Sequence, residues 1–279
     1  MKAPLDRFAL GKAATGLVAI LVVAFLMTPL LVVVPMSFND SAFLNFPPER
    51  LSFRWYREFF TNRVWLSATA MSFKVGAIVA GVATGLGTLA AFGIVRGRFR
   101  GRALVESFIL SPLITPVIVL AVALYYLFAA LRLNGTLLGL VIGHTILALP
   151  YAVVVISASL EVFDVGLERA AMGLGAGRVR TFFRVTLPLI RSGVLIAALF
   201  AFLTSFDDVV VALFVTGPTT MTLPRKMWDG IRNEINPTIA AASSLLIAFS
   251  WLVMGGVEWL RRRLGSQGRG PLQLGGIGR

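Results

Sequence analysis

The chain has 279 residues, of which 57% are hydrophobic and 14% charged, against about 45–50% and about 25% in a soluble domain, so the composition excludes a soluble globular protein and indicates a membrane protein. There is no cysteine, which rules out disulfides, thiolate nucleophiles and cysteine metal sites, and the single histidine, His144, rules out a multi-histidine metal centre. The net charge of +13 would suit nucleic acid, but its distribution along the chain has a membrane explanation.

Residues 1–12 carry Lys2, Arg7 and Lys12 and read as a terminus outside the membrane. Residues 13–35 form an uncharged run of 23, where about 20 cross a bilayer, and they read as an uncleaved first span. The polar and aromatic stretch 36–63 reads as an extramembrane loop with a surface-lying segment near Trp55, Phe59 and Phe60. A second span is expected over 64–95, with Lys74 in its first half and Gly81 and Gly85 spaced for close helix approach. Arg96-Gly-Arg-Phe-Arg-Gly-Arg102 follows. A third span is expected over 103–131, broken by Pro112 and Pro116, and a fourth over 136–160, containing Gly139, Gly143 and His144. A fifth covers 189–215 with Asp207 and Asp208 inside it. Residues 216–237 read as a polar loop, 238–260 as the sixth span, and 261–279 as a basic, Gly-rich tail expected to be disordered.

Six spans put both termini on one side. That side holds 17 Lys and Arg residues and the other 8, with Lys74 inside a span. Positive residues favour the cytoplasm, so both termini and the 161–188 loop are expected there, with the basic excess attracting anionic lipid. Nucleic acid is not expected as a partner.

No phosphate-cradling G-x-x-x-x-G-K-[ST], no H-E-x-x-H and no G-x-S-x-G occur, so neither catalysis nor a cofactor or metal is expected. If ATP drives transport, another subunit must hydrolyse it. The ionisable residues within spans are Lys74, His144, Asp207 and Asp208. Charges in hydrocarbon are costly and face a cavity or a partner. Asp207 stands roughly 27 Å along the fifth span, and His144 roughly 12 Å into the fourth from its opposite end, at 1.5 Å per residue. Lys74 falls at a similar level, so the four could share one depth. Two readings stand: a cation-recognising or gating cluster on a translocation path, or a structural Lys74–Asp208 ion pair. His144 reads first as a hydrogen-bonding residue between helices.

The 161–188 loop, EVFDVGLERAAMGLGAGRVRTFFRVTLP, is too charged for hydrocarbon yet rich in helix formers. Gly175-Ala176-Gly177 interrupts it, so the pattern predicts helix, Gly turn, helix, with positive φ at Gly175. Pro188 suits the first turn of the next helix. This spacing resembles the EAA loop of ABC importer permeases. Registering on Gly175 places Ala170 and Ala171 on the family's two alanines and Val185, Leu187 and Pro188 in its ending. The family's glutamate then falls on Arg169, with Glu168 one place early. Gly87-Thr-Leu-Ala-Ala, Leu110-Ser-Pro-Leu-Ile, His144-Thr-Ile-Leu-Ala-Leu-Pro-Tyr, Phe206-Asp-Asp, Thr216-Gly-Pro, Thr222-Leu-Pro and Asn236-Pro-Thr-Ile-Ala-Ala extend the likeness from about residue 66 to 259. They are similar to the spermidine/putrescine branch of type I importer permeases, and most to its second permease subunit.

The resemblance implies an all-α, six-span inner-membrane permease with a transmembrane domain over 64–260 and the 161–188 coupling loop. Its implied partners are a second permease in a heterodimer, two ATP-binding cassette ATPase subunits and a periplasmic solute-binding protein. Glu168, Arg169, Ala170, Ala171, Gly175, Val185, Leu187 and Pro188 would couple to the ATPase, and Asp207, Asp208, His144 and Lys74 would line the substrate path. Carboxylates suit a polyamine cation, since they pair with ammonium groups. Importers of iron, thiamine or aminophosphonates share the loop. An ion-coupled secondary transporter using Asp207, Asp208 and Lys74 is the alternative of another class.

Overall fold

Helix is the only regular structure among the described residues, 5–233 and 236–266 of this computed structural model, apart from one isolated bridge between Asn39 and Leu51. Contacts divide the chain into two compact units, residues 1–62 with 229–253 and residues 63–228 with 254–279.

In the first unit, residues 15–36 of α1 (Leu5–Met36) are uncharged and mostly exposed, as those of a helix in lipid are. The helix begins within the stretch expected as a terminus outside the membrane. The expected surface segment is the amphipathic α2 (Arg54–Thr61), with Trp55 and Phe59 buried and Phe60 exposed. The connection from α1 to α2 is held by Ser37 Oγ against the Tyr56 hydroxyl at 2.7 Å, by Trp55 Nε1 donating to the Ser41 carbonyl at 3.2 Å, and by clustered Phe38, Phe53 and Tyr56 rings.

The second unit is built on α3 (Arg63–Arg96), α6 (Leu137–Val162) and α10 (Arg191–Asp207), which pack against one another. One core cluster gathers Val75, Val79, Leu124, Phe128, Leu140 and Val211, and a second gathers Ala91, Ala152, Ile156, Leu160, Ile190 and Ala197. Half of the second cluster is alanine, which lets helices approach closely, since van der Waals contact rather than a hydrophobic drive holds helices together in lipid. A Cβ on Gly87 would stand 2.7 Å from the Ala152 Cβ, and one on Gly193 would collide with Ser159. Gly143 similarly abuts Val211. Gly81 and Gly85, expected to mediate close approach, have no neighbour within 4 Å of a Cβ and face away from the unit's core. The packing edge of α3 is instead the stripe Ala68, Ser72, Val75, Gly76, Val79 and Ala83, which leaves both glycines on the far side. Gly87→Val should therefore cost about 1–3 kcal/mol by overpacking, while Gly81→Val should cost almost nothing. A thermal unfolding series on the detergent-solubilised protein checks this, and equal losses for the two would contradict the packing.

Two expected spans are not straight. The third is α4 (Arg102–Ile114) and α5 (Val117–Ala130), bent by 106° at Thr115-Pro116. Thr115 is extended, as the residue before proline prefers. Pro112 leaves α4 unbroken, because the Ser111 hydroxyl donates to the Phe108 carbonyl that proline cannot serve. The fifth stretch, 189–215, breaks twice: at Ile190, where the preceding segment and α10 meet at 76°, and at Asp208-Val209, after which α11 (Val210–Val215) starts afresh. Among the described residues, Thr15–Met36, Arg63–Arg96 and Leu137–Val162 are long and apolar enough to cross a bilayer unbroken, and the bent pairs raise the number to as many as five. The polar 216–237 stretch contains α12 (Leu223–Asn233). The last helix, α13 (Thr238–Ser266), carries an apolar stretch, Thr238–Val253, and continues past residue 260, so its end is helical where a tail was expected. The rest of the expected tail, 267–279, and residues 1–4 lie outside the described residues.

Candidate functional site

The 161–188 loop folds as α7 (Val165–Gly173), α8 (Arg178–Thr181), a π-helical turn over Phe182–Thr186 and a last short turn, α9 (Leu187–Leu189). Asp164 caps α7, its carboxylate accepting the Gly166 N–H at 2.8 Å. At the other end the Ala176 N–H reaches the Ala171 carbonyl at 3.1 Å and the Gly175 N–H reaches Met172 at 3.0 Å, with Gly175 at φ 87°. That is the two-bond pattern of a Schellman C-cap, which requires a left-handed residue at the position glycine occupies. Ala170 and Leu174, the latter 91% exposed, are turned out of the protein, Met172 is partly exposed and borders the hollow beside Glu168, and Ala171 is half-buried. Phe183 and Val179, the latter not singled out from the sequence, extend this exposed apolar surface. Arg169 and Pro188 are exposed, and Val185 and Leu187 half-buried.

Glu168 points the opposite way. It is 7% exposed, and its carboxylate accepts the Thr186 hydroxyl at 2.8 Å and lies 3.5 Å from Arg96 Nε. Arg96 and Thr186 were absent from the sequence-based site. Arg96 was read only as part of a basic run, and a threonine 18 positions from a glutamate gives no linear signal.

Of the four ionisable residues expected to share a depth, two meet. His144 is fully buried, its Nδ1 2.9 Å from Ser205 Oγ and its Nε2 3.5 Å from Asp208 Oδ2. The same carboxylate oxygen accepts the Ala212 N–H at 3.0 Å, holding the first turn of α11. Arg225 holds the other end, Nη1 donating to the Ala212 and Leu213 carbonyls and to Thr216 Oγ1 at 3.2, 2.9 and 2.8 Å. An acid at the start and a cation at the end of a short helix complement its dipole. Asp207, one residue earlier, is exposed. Lys74 is exposed too, and no ion pair among the described residues joins it to Asp208, so the expected Lys74–Asp208 pair is replaced by His144–Asp208. Lys74 falls off the buried stripe of α3. Non-helical backbone such as that at Asp208-Val209 is tolerated at membrane depth only where protein or a water-filled cavity receives it.

Residues 83–266 match the family described as binding-protein-dependent transport system inner membrane component. The chain belongs to this family. The permease is 35% identical over 242 residues to the putrescine transport system permease protein PotI of Escherichia coli strain K12, covering 84% of this chain and 85% of that one. It is 32% identical over 246 residues to the spermidine/putrescine transport system permease protein PotC of the same strain, covering 88% and 92%. Among solved structures it resembles a bacterial ABC transporter involved in import of the acidic polysaccharide alginate, with TM-score 0.72 at 15% identity, covering 93% and 97% of the two chains. It also resembles the inward-facing MetNI methionine ABC transporter, with TM-score 0.57 at 19% identity, covering 75% and 97%. The fold is that of the type I importer permeases, and the permease is a multi-pass inner-membrane transport component, not an enzyme. Membership of this family displaces the ion-coupled secondary transporter.

Proposed function

We propose that this permease forms one half of the translocation path of an ATP-driven polyamine importer. It pairs with a second, different permease, receives solute from a periplasmic binding protein and docks two cytoplasmic ATPase subunits on the 161–188 loop. The observation that carries this reading is the loop itself: a glycine-capped helical turn that buries its acid and exposes Ala170, Leu174, Val179 and Phe183. ATP binding would close the ATPase subunits on that surface and open the path alternately to the two sides. A polyamine is supported by the named substrates of the relatives and by the exposed carboxylate of Asp207 beside Asp208, since carboxylates bind ammonium groups strongly. A partner permease suits α4, which has no buried residue and exposes Leu104, Phe108 and Ile114.

The test is uptake of radiolabelled putrescine and spermidine by vesicles holding the complete transporter, with alanine and thiamine as controls. Energised uptake of neither polyamine would overturn the substrate assignment. Orientation has its own test, simplified because the chain has no cysteine. From the 17-to-8 basic bias, single cysteines at Arg98 and Gly177 should react with impermeant thiol reagents only in opened cells, and one at Thr219 should react in intact spheroplasts. Labelling of the Gly177 site from outside would reverse the topology.

A further inference from the structure

Glu168 is the one residue of α7 that is buried, on a helix whose other residues are exposed or half-exposed. An acid in that place needs partners, because an uncompensated buried charge is strongly destabilising. Its partners come from distant parts of the chain. Thr186, which donates to Glu168 Oε1, closes the π-helical turn that leads into α10. Arg96, 3.5 Å from Oε2, belongs to the last turn of α3, and its Nη2 also donates to the Leu160 carbonyl in the last turns of α6 at 3.1 Å. The guanidinium lies 5.7 Å from the centre of the Phe163 ring. Arg96 and Glu168 thus tie together α3, the end of α6, the first loop helix and the second half of the loop.

Apolar packing joins α3 to the second half of the loop, where the Phe92 ring meets Phe182 edge-on at 5.4 Å, but it does little for α7. The main packing partners of α7 are α8 and the π-helical turn, and between the loop and α3 lies a cavity of about 430 Å³ bounded by Arg96, Glu168, Met172, Thr181 and Phe182. The Thr181 hydroxyl faces it without a hydrogen-bond partner. Between α3 and α7 itself, motion passes through whatever bridges them, and there the bridge is the Arg96–Glu168 pair.

We propose that Arg96 and Glu168, with Thr186, are positioning residues that transmit movement of the loop to α3 and α6, and that Glu168 acts from inside the permease without touching the ATPase. This rests on the reading of the loop as the ATPase-docking element. It assigns opposite duties to neighbours: the exposed face of α7 receives the ATPase, and Glu168 fixes how that face is held.

The experiment uses the assembled transporter in lipid nanodiscs, with Val209→Cys as the reporter beside the Asp208 break. Two quantities are read: ATPase subunits retained on tagged permease, and the change in thiol-labelling rate of the reporter produced by ATP with vanadate. Neither depends on knowing the solute. Arg96→Met and Glu168→Ala should both retain the ATPase, while the severalfold labelling change collapses toward none. Glu168→Gln, whose carbonyl still accepts from Thr186, and Arg96→Lys, which keeps the cation, should each preserve part of it. Arg96→Met with Glu168→Met should be no worse than the poorer single variant, because neither charge is left unpaired. Loss of the ATPase from Glu168→Ala but not from Arg96→Met would place Glu168 on the ATPase and overturn the proposal. An undiminished labelling change in both would reduce the network to a structural tie and overturn it equally. Gly175→Asp, run alongside, separates the underlying reading: if it retains the ATPase, the docking assignment fails whatever Arg96 does.

Discussion

Replacing Gly175 with aspartate should leave the permease inserted and paired with its partner, release the ATPase subunits and abolish uptake. The reason is conformational. Gly175 stands at φ 87°, where a side-chain-bearing residue costs roughly 1 kcal/mol or more. A Cβ there would meet no atom within 4 Å, so the penalty is not a clash. It falls on the two N–H bonds, from Gly175 and Ala176, that satisfy the last carbonyls of α7. If they are lost, Leu174 and the face bearing Ala170 are no longer held in register with Val179 and Phe183. Aspartate adds a negative charge to an apolar docking surface, where like surfaces depend on depleting charge. Graded substitutions separate the two effects. Gly175→Asn should be mildest, because asparagine tolerates the left-handed region. Gly175→Ala should cost about tenfold in ATPase retention for each 1.4 kcal/mol lost, and aspartate should be worst. Ala171→Asp should match it, since it puts a charge and a longer side chain at the half-buried position beside the docking face. Arg169→Glu should be tolerated, because the exposed Arg169 has no part in the cap. Co-purification of ATPase with tagged permease, measured beside uptake, decides it, and full retention and uptake in Gly175→Asp would remove the loop as the coupling element.

That cap was legible in the sequence because it is local: helix formers followed at once by a glycine. The ends of α3 and α4 are legible for the same reason, marked by Arg96 and by Thr115-Pro116. What could not be read was rotation about helix axes. Counting residues puts Lys74, His144 and Asp208 at one depth, but depth says nothing of which way a side chain points. The buried stripe of α3 runs through Ser72, Val75, Gly76 and Val79, and Lys74 lies outside it, as do Gly81 and Gly85. The hydrophobic pattern cannot mark that stripe in a helix that is apolar on nearly every side. The burial of Glu168 is hidden for a related reason. Its register against a family pattern placed it one position early, whereas its burial depends on Arg96 and Thr186, contacts between segments 72 and 18 positions away that no window along the chain contains. The break at Asp208 was hidden too, because Phe206-Asp-Asp-Val-Val contains neither glycine nor proline to announce it.

The pairing of Asp208 with His144 changes what its removal should do. Asp208→Asn keeps an oxygen that can accept the Ala212 N–H, so α11 stays anchored between residue 208 and Arg225. It removes only the charge. If that charge receives a cationic solute, uptake of putrescine should fall by about 10- to 100-fold, the equivalent of the roughly 1.5–3 kcal/mol of a hydrogen bond to a charged group, while the complex assembles and hydrolyses ATP as before. Asp207→Asn, at the exposed neighbour, should act in the same direction. Lys74→Leu should change little, and adding it to Asp208→Leu should rescue nothing, because Lys74 is exposed and makes no pair with that carboxylate. The purely structural role now has a different signature. If Asp208 serves only as a polar neighbour of the buried His144, then removing both avoids leaving either polar group unpaired, and His144→Leu with Asp208→Leu should regain uptake that Asp208→Leu alone has lost. Recovery in that double variant would assign Asp208 to helix packing. Continued loss, with ATP hydrolysis intact, would place its charge on the path of the solute.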